Sequence, residues 1–446
     1  MTKSYGKRIV KMALISKGFL LLLAVQILSV LSDNTKRKVT ITPWPDCDKN
    51  ECEEARLAGR NVVYAKAATT NNDILHYVFS TIGLPTVLLV RTTGEDNSLF
   101  FNWTMLNESS IFGAINFGEK KVNINYTFAV AFTRLIEYDD KDDSADLEAN
   151  QKKDTTRWLI RDFNEFPWQN VSVNEKTNSF VFNISKEVMD ETSETNNGTI
   201  SFTFSVKGDN GRASELPCLL YGANETMFDF IMANFTPSFN NSRFALEAVV
   251  VSKSDMHTKE MDVEQTESID DEYTPGVFQI IDWLTNPQRK DISGFFQWKP
   301  VSYISKSRGR NTASKVNYYK LKNLNDLNAT LESSLINNTV VAAFISESLW
   351  HEEEYKMKFA NISFGIPKDG FYVKNNYSVW TAAIGYGTPP EDTISATVII
   401  TISAGLGIPV IIIIVGGIYS IIRKMRTKST AYQPISADSR NQYQKE

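Results

Sequence analysis

Few residues of this 446-residue chain have the types and spacing that catalysis requires. His351-Glu352-Glu353-Glu354 begins like the H-E-x-x-H helix of a zinc protease but has no second histidine, so two ligands cannot share one helix face there. His76 stands among Leu75, Tyr77, Val78 and Phe79, the setting of a hydrogen-bonded strand histidine rather than of a general base. Asp270, Asp271 and Glu272 carry calcium-type oxygens, yet consecutive acids lack the alternating spacing of an EF-hand loop. There is no G-x-S-x-G elbow, no P-loop and no nucleotide-binding glycine fingerprint. The sequence therefore predicts no catalytic, cofactor-binding or metal-ligating residue, and a non-enzymatic protein.

The chemistry the chain does advertise is done to it. N-x-Ser/Thr acceptors for N-linked sugar occur at Asn102, Asn107, Asn125, Asn170, Asn183, Asn197, Asn224, Asn234, Asn240, Asn328, Asn337, Asn361 and Asn376. All thirteen fall between two apolar segments, one near each end, and that segregation is more telling than any single match. Three cysteines, Cys47, Cys52 and Cys218, allow one pair and one leftover; the spacing of Cys47 and Cys52 permits a small disulfide-closed loop, though connectivity stays open.

The elements that would position these groups start with a membrane anchor. Residues 393–422 are uncharged and apolar, and Arg423, Lys424, Arg426 and Lys428 follow at once. About 20 apolar residues cross a bilayer, and flanking cations mark the cytoplasmic end, so residues 393–422 are expected to be a transmembrane helix. Ser403 and Gly407 have the small-x-x-x-small spacing of packed membrane helices, and Pro409 interrupts the run. At the other end Lys3, Lys7, Arg8, Lys11 and Lys17 lead into an apolar stretch over residues 19–31, which predicts a signal peptide over 1–32, cut before Asp33. The tail, residues 423–446, holds Tyr432-Gln433-Pro434-Ile435; Tyr432 and Ile435 have the spacing that a clathrin adaptor reads.

The net charge is −5, with five cations before Asp33 and six cations against two anions after Ile422, so residues 33–392 carry −14. That balance argues against nucleic acid, which requires a basic face. Within this region short β-branched and aromatic runs alternate with Asn, Asp, Gly and Pro, at 39–42, 62–65, 86–91, 99–105, 122–135, 180–184, 200–206, 244–251, 295–303, 356–364 and 377–386. Ile200, Phe202, Phe204 and Val206 alternate with Ser201, Thr203 and Ser205, as in a strand with one wet face. The fold class is mainly β, a luminal β-sandwich-type domain over 33–392 with one helix behind it. The charge-dense stretches 138–154 and 252–272 read as solvated loops, and a subdivision into two subdomains is considered near 253–272. Helix is expected only in short pieces, such as 324–335.

Several runs resemble the glycosylated lysosomal membrane protein family: Leu75-His76-Tyr77-Val78-Phe79-Ser80, Phe132-Thr133-Arg134-Leu135-Ile136-Glu137-Tyr138, Ser268-Ile269-Asp270-Asp271-Glu272-Tyr273-Thr274-Pro275 and Gln297-Trp298-Lys299-Pro300-Val301-Ser302-Tyr303. The resemblance covers nearly the whole chain. It implies a single-pass type I protein of the lysosomal membrane that acts as accessory subunit of a multi-span major-facilitator carrier for dipeptides, shielding it from luminal proteolysis and supporting its localisation. The chain departs from vertebrate members in continuing past the tyrosine motif, over residues 436–446, and in having fewer luminal cysteines. A glycan-poor docking face is considered around 269–278 and 295–303, where aromatic residues and proline sit without sugar acceptors, against the leading alternative that these residues are core strands. The rivals are a membrane-tethered luminal hydrolase and an endocytic adhesion or ligand-binding receptor.

Overall fold

The computed structural model describes residues 35–47, 52–94, 97–108, 111–118, 122–185, 198–253, 261–267, 276–323, 336–345, 355–392 and 396–429. The signal-peptide segment, the Tyr432–Ile435 sorting motif, His351, the Asp270–Glu272 acids and the stretch 324–335 where a helix is expected lie outside them.

Alternation builds the core as the sequence predicts: in the strand Thr199–Val206 every second residue, from Ile200 to Val206, is buried and its serine and threonine neighbours are half-exposed. In chain order the first strands are β1 (Lys38–Pro43), β2 (Val62–Ala68), β3 (Asp73–Ser80), β4 (Thr86–Thr93), β5 (Asn123–Asp139) and β6 (Trp158–Asp162). Next come β7 (Ser172–Asn174), β8 (Ser179–Ser185), β9 (Thr199–Val206), β10 (Glu225–Ala233), β11 (Ser242–Lys253) and β12 (Asp262–Glu267). The last are β13 (Gln279–Leu284), β14 (Gly294–Trp298), β15 (Val301–Tyr303), β16 (Ala313–Tyr318), β17 (Tyr355–Phe364) and β18 (Tyr377–Tyr386).

These strands make two antiparallel layers. The first runs β1-β2-β3-β4-β5-β11-β17-β16, with β6 beside the second half of β5. The second runs β7-β8-β9-β10-β18-β14-β13-β12, with β15 also on β18. β16 pairs with β15 as well as β17, which joins the layers along one seam. Phenylalanines fill the space between: Phe132 of β5 lies 4.9 Å from Phe202 and 5.4 Å from Phe228, and Phe79 of β3 lies 4.7 Å from Phe180. Such ring pairs add about 0.5–1.5 kcal/mol each beyond burial of their area. Residues 33–392 are one compact unit.

Three expectations change. Residues 99–105 are not one strand: Phe100–Phe101 pairs briefly with Ile115–Asn116, and Asn102 caps the short helix α1 (Trp103–Leu106) by accepting the Met105 N–H at 3.1 Å. With Phe117, 5.3 Å from His76, this segment roofs the outer face of the first sheet, and β3 is accordingly buried on both faces. Residues 295–303 are two strands, broken at Lys299-Pro300 because proline cannot donate to a ladder. The stretch near 253–272 does not divide the unit: Lys253 ends β11, and β12 pairs along its length with β13 of the second sheet.

The helix α2 (Ala396–Ser429) contains Pro409, and its stretch Thr401–Lys424 is long and apolar enough to cross a membrane. Its 24 residues rise about 36 Å, more than a hydrocarbon layer of roughly 30 Å.

Candidate functional site

Of the thirteen sugar acceptors, Asn197 and Asn328 lie outside the described residues, and none of the other eleven is buried. Asn125, Asn170, Asn234, Asn240 and Asn376 are exposed; Asn102, Asn107, Asn183, Asn224, Asn337 and Asn361 are half-buried. Asn125 is the extra residue of a bulge, since Arg91 pairs with Tyr126 and Thr92 with Ile124. Asn234 and Asn376 are neighbours at one end of the second sheet, the Asn234 N–H donating to the Asn376 carbonyl at 2.7 Å, and both adopt the left-handed backbone that asparagine tolerates (φ 53° and 51°). The Asn224 side-chain oxygen accepts from Arg37 Nε at 2.8 Å.

Cys47 and Cys52 are joined by a disulfide and Cys218 is a buried thiol. His76 is buried on β3 between the Tyr64 hydroxyl (2.7 Å) and Thr92 Oγ1 (2.9 Å), with both ring nitrogens engaged. Burial, reinforced by Lys66, pushes its pKa down to about 3. The candidate docking run 295–303 is core instead: Phe295, Phe296, Trp298, Val301 and Tyr303 are all buried, because these strands sit inside the second sheet. Of the companion run 269–278, only residues 276–278 are described, and Phe278 is half exposed.

Sequence reading missed the buried ionic groups. Residues 138–154, read as a solvated loop, enclose Tyr138, Asp139, Asp140, Leu147 and Asn150. Asp140 accepts from Arg243 Nε (2.8 Å), Asn150 Nδ2 (2.9 Å), Ser144 Oγ (2.9 Å) and the Ala145 N–H (2.8 Å). Arg243 also pairs with Asp143 and, at 2.8 Å, with Asp369. Burial alone would raise the Asp140 and Asp369 carboxyls; the donors around each outweigh it and hold both below the usual carboxylate value. A cleft of about 170 Å³ next to this cluster is walled by Phe244, Phe364, Phe371 and Tyr377, and the Arg243 guanidinium that reaches it is already shared among three aspartates.

Two other acids behave oppositely. Glu225 and Asp282 are buried, and each keeps one carboxylate oxygen without a hydrogen-bond partner. Burial pushes Asp282 up to about 7 against the Gln297 amide and Lys290, and pushes Glu225 well above its ordinary value against the Gly222 N–H and Lys207. Among the described residues no cluster of three or more His, Cys, Asp or Glu has the arrangement of a metal site.

Comparison with known proteins completes the picture. The family model of the glycosylated lysosomal membrane protein matches residues 61–427. The chain belongs to the glycosylated lysosomal membrane protein family. It is 33% identical to glycosylated lysosomal membrane protein B of Xenopus laevis over 420 residues, covering 93% of this chain and 97% of that one. It is 35% identical to the Xenopus laevis A protein over 379 residues (84% and 89%), and 28% identical to the Homo sapiens protein over 381 residues (84% and 87%). Membership makes this a lysosomal membrane glycoprotein; among the described residues one C-terminal helix is able to span the bilayer, and most of the chain lies in a mainly β domain.

Proposed function

We propose that the protein is a non-enzymatic accessory subunit that stabilises a multi-span major-facilitator carrier, a dipeptide transporter, in the lysosomal membrane, protecting it from luminal proteolysis and supporting its lysosomal residence. The observation that carries this reading is the combination of a rigid, aromatic-packed β domain with acceptors distributed over it, none of the eleven described ones buried. A body of this kind blocks proteases by bulk while contributing no transport chemistry. Support for a role without catalysis comes from the titratable groups: Asp139, Asp140 and Glu137 are engaged by Arg157, Arg243 and Arg161, and the Arg243 guanidinium that reaches the cleft is already shared among three aspartates. The cations at the C-terminal end of α2, Arg423, Lys424, Arg426 and Lys428, favour a cytoplasmic tail and a luminal domain. Deleting the gene is expected to shorten the half-life of one polytopic carrier in lysosomes several-fold, read by pulse-chase; a carrier complement of unchanged abundance and lifetime refutes the role.

Sorting is assigned to Tyr432 and Ile435, which fit adaptor pockets for a tyrosine ring and a bulky apolar side chain in extended backbone. Replacement of Tyr432 by Ala is expected to move most of the protein to the cell surface, scored by surface biotinylation. Unchanged lysosomal residence of Tyr432→Ala would remove the tail motif from the mechanism.

A further inference from the structure

Residues 387–392 follow β18 and lead towards α2, and they lie strapped to the rest of the β domain. The Gly387 N–H donates to the Ser293 carbonyl (2.8 Å) and Gln297 Nε2 to the Pro390 carbonyl (3.0 Å). Asp392 bridges Lys299, whose side chain is fully buried, and Arg212, each at 2.9 Å. Glu391 approaches Lys290 at 3.8 Å, and Lys290 also holds Glu264 of β12 at 3.0 Å.

The strap closes over two acids. Met227, Ala383, Gln297 and Asp282 stand in register across β10, β18, β14 and β13, so Gln297 meets Asp282 on one side and Pro390 on the other. Glu225 lies one pleat along β10 from Met227, on the same face. Glu225 Oε1, Asp282 Oδ1 and Gln297 Oε1 are all buried without partners. The charged groups facing Glu225 are Lys207 and Asp282, with the Tyr77 phenol of β3 also in range. Those facing Asp282 are Lys290, Glu264 and Glu391. Lys207 sits over the Tyr221 ring at 4.6 Å and Lys290 is divided between Glu264 and Glu391, so neither cation is dedicated to the buried pair. A buried carboxyl with a bare oxygen is tolerated as the neutral acid and disfavoured as the anion.

We propose that Glu225 and Asp282 form a proton-operated latch on residues 387–392: protonated, they let the strap close over the second sheet; ionised, they loosen it. The strap is therefore tight in the acid interior of a lysosome and loose at neutral pH. The sign follows from both carboxyls binding protons more strongly folded than unfolded. Their stabilisation is complete below about pH 4, near the unfolded value, and is lost as pH rises through the folded value, which for Asp282 is about 7. This inference rests on lysosomal residence and not on the accessory role, so either can fail without the other.

The test is hydrogen exchange on the full-length glycosylated protein in detergent micelles, corrected for intrinsic exchange rates. Each proton that the closed state holds and the open state releases makes opening about tenfold easier per pH unit, so amide protection at Gly387 and in β13 is expected to fall at least tenfold between pH 5 and 7. Asp282→Asn with Glu225→Gln mimics the protonated pair and is expected to keep protection at pH 7 near its pH 5 value. Protection that is independent of pH in the wild type overturns the latch, and so does a pH dependence the double variant leaves intact. If the double variant fails to fold, the wild-type titration alone decides: protection lost between pH 5 and 7 at Gly387 and β13 together supports the latch, and loss at neither overturns it.

Discussion

Arg243 shows what one side chain contributes here. Its guanidinium is almost wholly buried and serves Asp140, Asp143 and Asp369, which come from two loops 100 to 126 positions away along the chain, one on either side. Removing the cation leaves three acids facing one another in a poorly solvated space, and breaking a buried pair in this one-sided way costs about 3–5 kcal/mol. Arg243→Met is therefore expected to lower the unfolding free energy by roughly that amount in a denaturant titration at pH 5. The wild-type cluster is intact at that pH, because Asp140 and Asp369 are held below their ordinary range while Arg243 and the surrounding donors are in place. A denaturation midpoint equal to that of the wild type would show the cluster to be dispensable. His76 is the opposite case: with its pKa near 3 it is neutral throughout the lysosomal range, and two hydroxyls satisfy it as the sequence context suggests.

Elements were legible where a local period sets them. β9 reads directly from its alternation, the runs at 39–42, 62–65, 86–91, 180–184, 244–251, 356–364 and 377–386 all lie within strands, and the run 122–135 does so from Asn123 onwards. What could not be read locally is what lies over each strand. Residues 99–105 have strand-like composition, but Asn102 caps a helix and the segment folds down as a roof on β2 and β3, satisfying aromatic residues that a strand would have left exposed. Residues 138–154 look solvated because six aspartates crowd there; Arg157 and Arg243, which pair with Asp139 and Asp140, arrive by folding. The candidate functional groups divide in the same way. Sugar acceptors and the membrane helix are written in contiguous residues, whereas Glu225 meets Asp282 only when β10, β18, β14 and β13 align.

For the whole molecule the question is what keeps a β domain intact among proteases. Its antiparallel sheets are closed at the seam through β16, but among the described residues β12 pairs on one side only, and Asp262, Glu264 and Glu267 put charge on that edge, a known guard against unwanted strand addition. Sugars guard differently. A protease must seat several residues of locally opened chain in its cleft, so a glycan beside a segment slows cutting by bulk, whatever the free energy of opening. Exposed acceptors at Asn125, Asn170, Asn234, Asn240 and Asn376 lie at strand ends and connections, where local opening is easiest. Enzymatic removal of the N-glycans from the folded full-length protein is accordingly expected to speed its cleavage by a lysosomal acid protease at pH 5 several-fold. Because an aromatic interior holds the domain together, the thermal midpoint should move little in the same sample. Equal cleavage rates with and without sugar would mean that fold stability alone resists digestion. A midpoint falling in step with faster cleavage would mean that the sugars act by stabilising the fold, and the steric account would then be wrong.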